Sequence, residues 1–131
     1  MSALVVDSSV YIHWLKQRTD FVSMLYPWIS EGLLYQCGII RTEVLRGIKD
    51  PKQRQQMSTV FEVACEVQLI PAFWDGVVAL AWSLDRQGVI VPLPDLAIAQ
   101  CALDRDATLV SLDEHFRYVP GLKWNRTLPA R

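Results

Sequence analysis

Asp7, Glu43, Asp95 and Asp113 are the residues of this 131-residue chain whose type and placement could do chemistry. Asp7 closes the apolar run Ala3-Leu4-Val5-Val6, Asp95 follows Pro92-Leu93-Pro94 at the start of a helical pattern, and Asp113 follows Thr108-Leu109-Val110-Ser111-Leu112. Glu43 lies in Arg41-Thr42-Glu43-Val44-Leu45-Arg46. Carboxylates gathered in one crevice repel one another unless a cation neutralises them, and all-oxygen ligands suit a hard divalent ion such as Mg²⁺ or Mn²⁺. A cation held this way polarises a phosphodiester and lowers the pKa of a bound water, or as a pair clamps the attacking and leaving oxygens. The four acids together therefore point to metal-dependent hydrolysis of nucleic acid.

Elements far apart in the chain must bring these residues together. Leu4 to Asp7 reads as a short strand buried on both faces, because a continuous β-branched run bounded by polar residues fits a covered parallel sheet. Ser8 or Ser9 caps a helix from Ser9 to about Lys16, and a second helix covers Phe21 to Ser30 until Gly32 stops it. Leu33 to Cys37 reads as a strand, followed by a helix from Ile39 to Arg46 that ends at Gly47. Pro51 starts a helix to about Ala64, before a strand from Glu66 to Leu69. From Ala72 to Gln87, Phe73, Val77, Leu80, Ala81 and Leu84 mark an amphipathic helix. Leu96 to Leu103 is helical and Thr108 to Ser111 a strand, and the tail from Tyr118 is mostly irregular apart from a strand near Leu122 to Trp124. Strands alternating with helices predict an α/β fold with a parallel sheet, and the C-terminal ends of its strands share one edge, where ligands bind.

Two of the four acids, Asp95 and Glu43, also have an ordinary explanation. Asp95 fits a helix N-terminus, where the backbone dipole favours a carboxylate. Glu43 could pair with Arg46 at i,i+3 on a helix surface. Asp20, Asp50, Asp85, Asp104, Asp106 and Glu114 sit at helix ends, in turns or beside Arg and Lys, and read as solvated groups. His115 reads as a surface histidine in a short helical turn, since metal-activated water does not require it.

The remaining composition narrows the class. Net charge is −1 and the isoelectric point near 6.1, so the totals lack the basic footprint of a protein that wraps nucleic acid. Hydrophobic residues at 51% suffice for the core of one domain spanning residues 1–131. The three cysteines, Cys37, Cys65 and Cys101, lack a CxxC pair and read as buried thiols of a reducing cytoplasm. The N-terminus has no basic segment ahead of its short apolar run, so it does not read as a signal peptide, and no apolar stretch is long enough to span a bilayer. Trp14, Trp28, Trp74 and Trp82 read as core by default, with some suited to an interface.

These motifs resemble those of PIN-domain ribonucleases, specifically the VapC-like toxins of type II toxin–antitoxin pairs. Val5-Val6-Asp7-Ser8-Ser9-Val10 resembles the family's opening strand, Thr42-Glu43-Val44-Leu45-Arg46-Gly47 its glutamate helix, Pro94-Asp95-Leu96-Ala97-Ile98-Ala99 its third-acid helix, and Leu109-Val110-Ser111-Leu112-Asp113-Glu114-His115-Phe116 its last acidic motif. All four occur in order, separated by 36, 52 and 18 residues.

The resemblance implies a three-layer α/β/α sandwich with a central parallel sheet of four to five strands. It implies an endoribonuclease dependent on Mg²⁺ or Mn²⁺, acting on single-stranded or looped RNA, a homodimer, and inhibition by a small antitoxin protein. Carried over by position, Asp7, Glu43, Asp95 and Asp113 form the acidic pocket, with Asp7, Asp95 and Asp113 as metal ligands and Glu43 acting through a water or second metal. Ser9, Ser111 and Arg46 are implied to fix an acid or contact substrate, although helix capping and turn bonding explain the two serines as readily. The charges Arg41, Arg46, Lys49, Lys52 and Arg54 read either as phosphate contacts or as a solvated face.

Three rivals differ in what they require. A receiver-like phosphotransfer domain needs a lysine after the late strand, and none follows Val110 before Lys123. A haloacid-dehalogenase-like phosphatase needs a second aspartate two residues after the first, where Ser9 stands. A catalytically silent PIN-like module binding RNA or protein has the same fold, but gains nothing from keeping four carboxylates together.

Overall fold

Leu4, Val5 and Val6 are wholly enclosed and form the central strand of the computed structural model, which describes residues 1–130. The elements in chain order are β1 (Leu4–Val6), α1 (Ser8–Lys16), α2 (Phe21–Ser30), β2 (Leu34–Gln36), α3 (Gly38–Arg46), α4 (Pro51–Val63), β3 (Cys65–Glu66), α5 (Pro71–Arg86), α6 (Leu93–Asp104), β4 (Thr108–Val110) and β5 (Lys123–Asn125). A short 3₁₀ turn, Glu114–Tyr118, joins the last two strands.

The sheet runs β3-β2-β1-β4-β5, and every pairing is parallel. The chain steps one way from β1 to β3, then crosses back to place β4 on the other side of β1. Right-handed crossovers in opposite directions cover both faces with helices, the three-layer arrangement expected. The reversal also makes the carboxyl ends of β1 and β4 a topological switch point, where an open α/β sheet leaves a crevice.

The core is continuous across the sheet. Tyr11, Trp14, Phe21 and Phe61 pack edge-on or stacked beneath the first helices. Leu109, Val110 and Phe116 fill the middle of the later half, and Ile98 packs there from α6. Gly32 and Gly88 take positive φ just after α2 and α5, conformations an L side chain resists, which ends both helices.

Several boundaries move by one to three residues. The third strand is Cys65–Glu66 rather than Glu66 to Leu69, because β2 ends at Gln36 and the chain enters α3, leaving Val67 with only the Gln36 carbonyl to bond. Helix α6 begins at Leu93, three residues early, since Pro94 in the first turn lacks only an N–H that would be unpaired anyway. The last strand is Lys123–Asn125. Cys37 and Cys101 are buried as expected, but Cys65 is partly exposed on the edge strand. Trp14 and Trp28 are core, whereas Trp74 and Trp82 are exposed on α5, against the default for large aromatics.

Candidate metal centre

Asp7 is the first residue after β1 and stands at the N-cap of α1, yet its side chain makes no capping bond. It is 1% exposed. Its Oδ2 instead accepts from Ser9 Oγ at 2.7 Å and from Ser111 Oγ at 2.7 Å. Each hydroxyl also accepts a backbone N–H, Ser9 from Leu112 at 3.2 Å and Ser111 from Asp113 at 3.0 Å. The two serines therefore tie the end of β1 to the loop after β4. That bonding selects acid positioning over helix capping for Ser9 and Ser111. Replacing Ser111 by Ala should leave the Asp113 amide and one Asp7 lone pair unsatisfied, lowering unfolding stability by about 1–3 kcal/mol in a denaturant titration. An unchanged midpoint would show that these bonds hold nothing in place.

Glu43 faces the same crevice. Ser8 Oγ donates to its Oε1 at 3.0 Å and lies 3.4 Å from Asp7 Oδ1, so one hydroxyl spans both acids. The alternative pairing with Arg46 does not occur: Arg46 makes no ion pair among the described residues. Instead both line an open cleft that also takes in Thr42, Leu69 and Pro94.

Asp95 occupies the first turn of α6. The dipole there would favour its charge, but burial and then the negative charge of Asp7 push its carboxyl up to about 6, with Asp113 and Glu43 adding to the rise and His115 opposing it. The other three acids thus act on Asp95, and burial with their charge outweighs what a helix terminus would favour.

Asp95, Asp113 and His115 each offer one donor atom, and these atoms lie within 4.8 Å of one another. His115 Nε2 sits 3.0 Å from Asp95 Oδ2, but it is off the hydrogen-bonding axis and stays a buried nitrogen without a hydrogen-bond partner. Two carboxylates with an unengaged imidazole nitrogen fit a divalent cation, the imidazole favouring Mn²⁺ over Mg²⁺ within that pair. Asp7 and Glu43 flank this set without belonging to it. Of the expected trio Asp7, Asp95 and Asp113, only the last two fall in this set, and the third member is His115, which reads from the sequence as a surface histidine. The available signal was its place two residues after Asp113 in a helical turn, which swings it back over the same crevice. Ser8 was read only as a cap, and adjacency to Asp7 gave no sign that it would reach Glu43.

A family model of the PIN domain matches residues 4–122. No curated protein matches the chain. Among solved structures, the fold is similar to VapBC2 from Rickettsia felis bound to a DNA fragment from its promoter, at 19% identity and a TM-score of 0.78, covering 94% of this chain and 97% of that one. DNA-bound VapBC from Salmonella typhimurium gives 17% identity and a TM-score of 0.79, with 95% and 98% covered. A toxin–antitoxin complex from Klebsiella pneumoniae gives 24% identity and a TM-score of 0.69, with 92% and 95% covered.

Proposed function

The chain belongs to the PIN-domain family, and from that membership we propose that it is a divalent-cation-dependent endoribonuclease acting as the toxin of a toxin–antitoxin pair. The observation that carries this reading is the convergence of four carboxylates and His115 at the switch point of the sheet, with Asp95 driven up to about 6 by burial and then by the neighbouring acids. Asp95 and Asp113, with His115, would hold Mg²⁺ or Mn²⁺, which when bound supplies charge neutralisation and an activated water for phosphodiester hydrolysis. Asp7 faces the same site with one oxygen fixed by Ser9 and Ser111. Ser8 holds Glu43 beside it, and Arg46, on the rim of the Glu43 cleft, would meet a substrate phosphate.

Purified protein incubated with assorted single-stranded RNAs should cleave them with Mg²⁺ or Mn²⁺ and stop in EDTA. Cleavage that persists in EDTA would overturn the reading. Binding without cleavage under every metal would leave the silent binding module.

Two surfaces support the partners. A cleft of about 510 Å³ among α1, α3 and the start of α4 is walled by Ile12, Leu15, Val44 and Ile48 with Lys16 and Lys49 beside them, which suits an amphipathic, acidic antitoxin segment. On α5, Trp74, Val78 and Trp82 recur every four residues, and Val78 and Trp82 are 66% and 61% exposed. This stripe is symmetric about Val78, so an antiparallel second copy would set Trp74 against Trp82 and Val78 on the two-fold axis, as an isologous interface requires. Val78→Glu should convert a dimer to a monomer in sedimentation measurements. A wild-type protein that is monomeric at all concentrations would remove the homodimer from the proposal.

A further inference from the structure

Gln36 ends β2 and Glu66 ends β3, on the same edge of the sheet as Asp7. The two strands are the next neighbours of β1, so this pair lies roughly 5 to 10 Å sideways from the strand that carries Asp7. A recess of about 410 Å³ opens there, lined among others by Gln36, Arg41, Ser58, Phe61, Glu62 and Glu66. It does not stand alone. A second cleft shares Arg41 with it and adds Arg46 and Arg54, and a third shares Thr42 and Arg46 with the second and ends at Glu43. At about 100° per residue, Glu43, Arg46, Thr42 and Arg41 follow one another around the exposed side of α3, which the three clefts trace.

The recess is built around a fixed carboxylate. Glu66 Oε1 accepts from Arg41 Nη2 at 2.8 Å and from Gln36 Nε2 at 3.2 Å, while Oε2 carries no hydrogen bond among the described residues. Gln36 is 2% exposed and its side-chain oxygen Oε1 is unpartnered, so a buried side-chain amide underlies the recess and holds Glu66 through Nε2. The walls beside it are basic: Arg46 and Arg54 form no ion pair among the described residues, and Arg41 has donors beyond the one given to Glu66. A carboxylate acceptor in the recess with guanidiniums beside it matches a nucleotide whose base enters and whose phosphate stays outside.

Resting on the endoribonuclease reading, we propose that this recess is a base-selecting subsite for a nucleotide next to the scissile bond. The phosphate sits on Arg41 and Arg54, and the base turns its edge to Glu66. Unpaired bases in single-stranded RNA expose their Watson–Crick edges to such contacts. A carboxylate accepts only, so it favours guanine, whose N1–H and N2–H₂ lie side by side, and disfavours uracil, whose single N3–H is flanked by two carbonyls. Glu62, on the same wall, adds to the preference for donors.

Fluorescence anisotropy in EDTA, using short oligoribonucleotides that differ at one position between G and U, separates the two contacts. Wild type should bind the G oligomer roughly tenfold more tightly. Glu66→Gln, whose amide both donates and accepts, should erase that preference, so that the G and U oligomers bind alike. Arg54→Ala should weaken every oligomer alike and lower the slope of log Kd against log salt by about 0.7, leaving the preference intact. Variants that retain both the wild-type preference and the wild-type slope overturn the subsite, while RNA is still bound and cleaved. A wild type that neither binds nor cleaves any RNA overturns the endoribonuclease reading itself. Weaker binding of an acidic peptide by Arg54→Ala, with RNA binding unchanged, assigns the basic walls to a protein partner and also overturns the subsite.

Discussion

Asp7→Asn is expected to lower metal-dependent RNA cleavage by about a thousandfold or more, equivalent to ~4 kcal/mol of lost transition-state stabilisation. The substitution removes a charge while keeping shape. An asparagine oxygen still accepts from Ser9 and Ser111, which bond Asp7 Oδ2 at 2.7 Å each, so the link between β1 and the loop after β4 survives. What disappears is the negative charge that faces Asp95 and the cation site. Asp95→Asn should be as severe, because it removes one of the donors that lie together with Asp113 and His115. In cells, induced expression of the wild type should arrest bacterial growth and both variants should relieve it. Melting temperatures no lower than that of wild type would show that the loss is chemical. A fully active Asp7→Asn protein would dissolve the metal-centre assignment.

The second large effect is on stability, and its sign is opposite to that of an ordinary buried substitution. Asp95 titrates near 6 in the fold, against about 4 in an unfolded chain. A carboxyl whose folded value is raised binds its proton more tightly when native, so it costs nothing below about pH 4, where both states are protonated. The cost grows as pH rises from about 4 to 6 and stays at its full value above that. Two units correspond to at most about 3 kcal/mol, and because Asp95 is only partly enclosed, solvent screens part of it. Metal-free Asp95→Asn should therefore be more stable than wild type by up to about 3 kcal/mol at pH 8, and no more stable near pH 4. Thermal melts across that range read the difference directly. Millimolar Mn²⁺ should raise the wild-type melting temperature and leave the variant's nearly unchanged, since only a ligand that prefers the native state stabilises it. A variant less stable than wild type at pH 8 would mean that the cluster is not under charge strain.

Much of the molecule was legible in order. The apolar run Leu4-Val5-Val6 announces a strand covered on both faces, and it is the middle strand of five. The alternation of such runs with 3.6-residue patterns and glycine stops gives the parallel α/β architecture, because these signals are local and each is satisfied within its own segment. Strand ends were less legible. The third strand stops at Glu66 because its partner β2 turns into α3, a fact about another segment.

The sequence by itself determined that carboxylates would converge: two acids after buried parallel strands must share one edge of the sheet. Only the tertiary structure decided their surroundings. The orientation of Glu43 depended on Ser8, 35 residues away. Likewise Ser9 and Ser111 became supports of Asp7 across the sheet rather than caps. His115 became part of the site because a 3₁₀ turn carried it against Asp95 on a separate helix. Spacing along a chain fixes which face of its own element a side chain takes. It does not fix which partner from another element meets it there, and charge, hydrogen bonding and burial at this centre are all properties of those meetings.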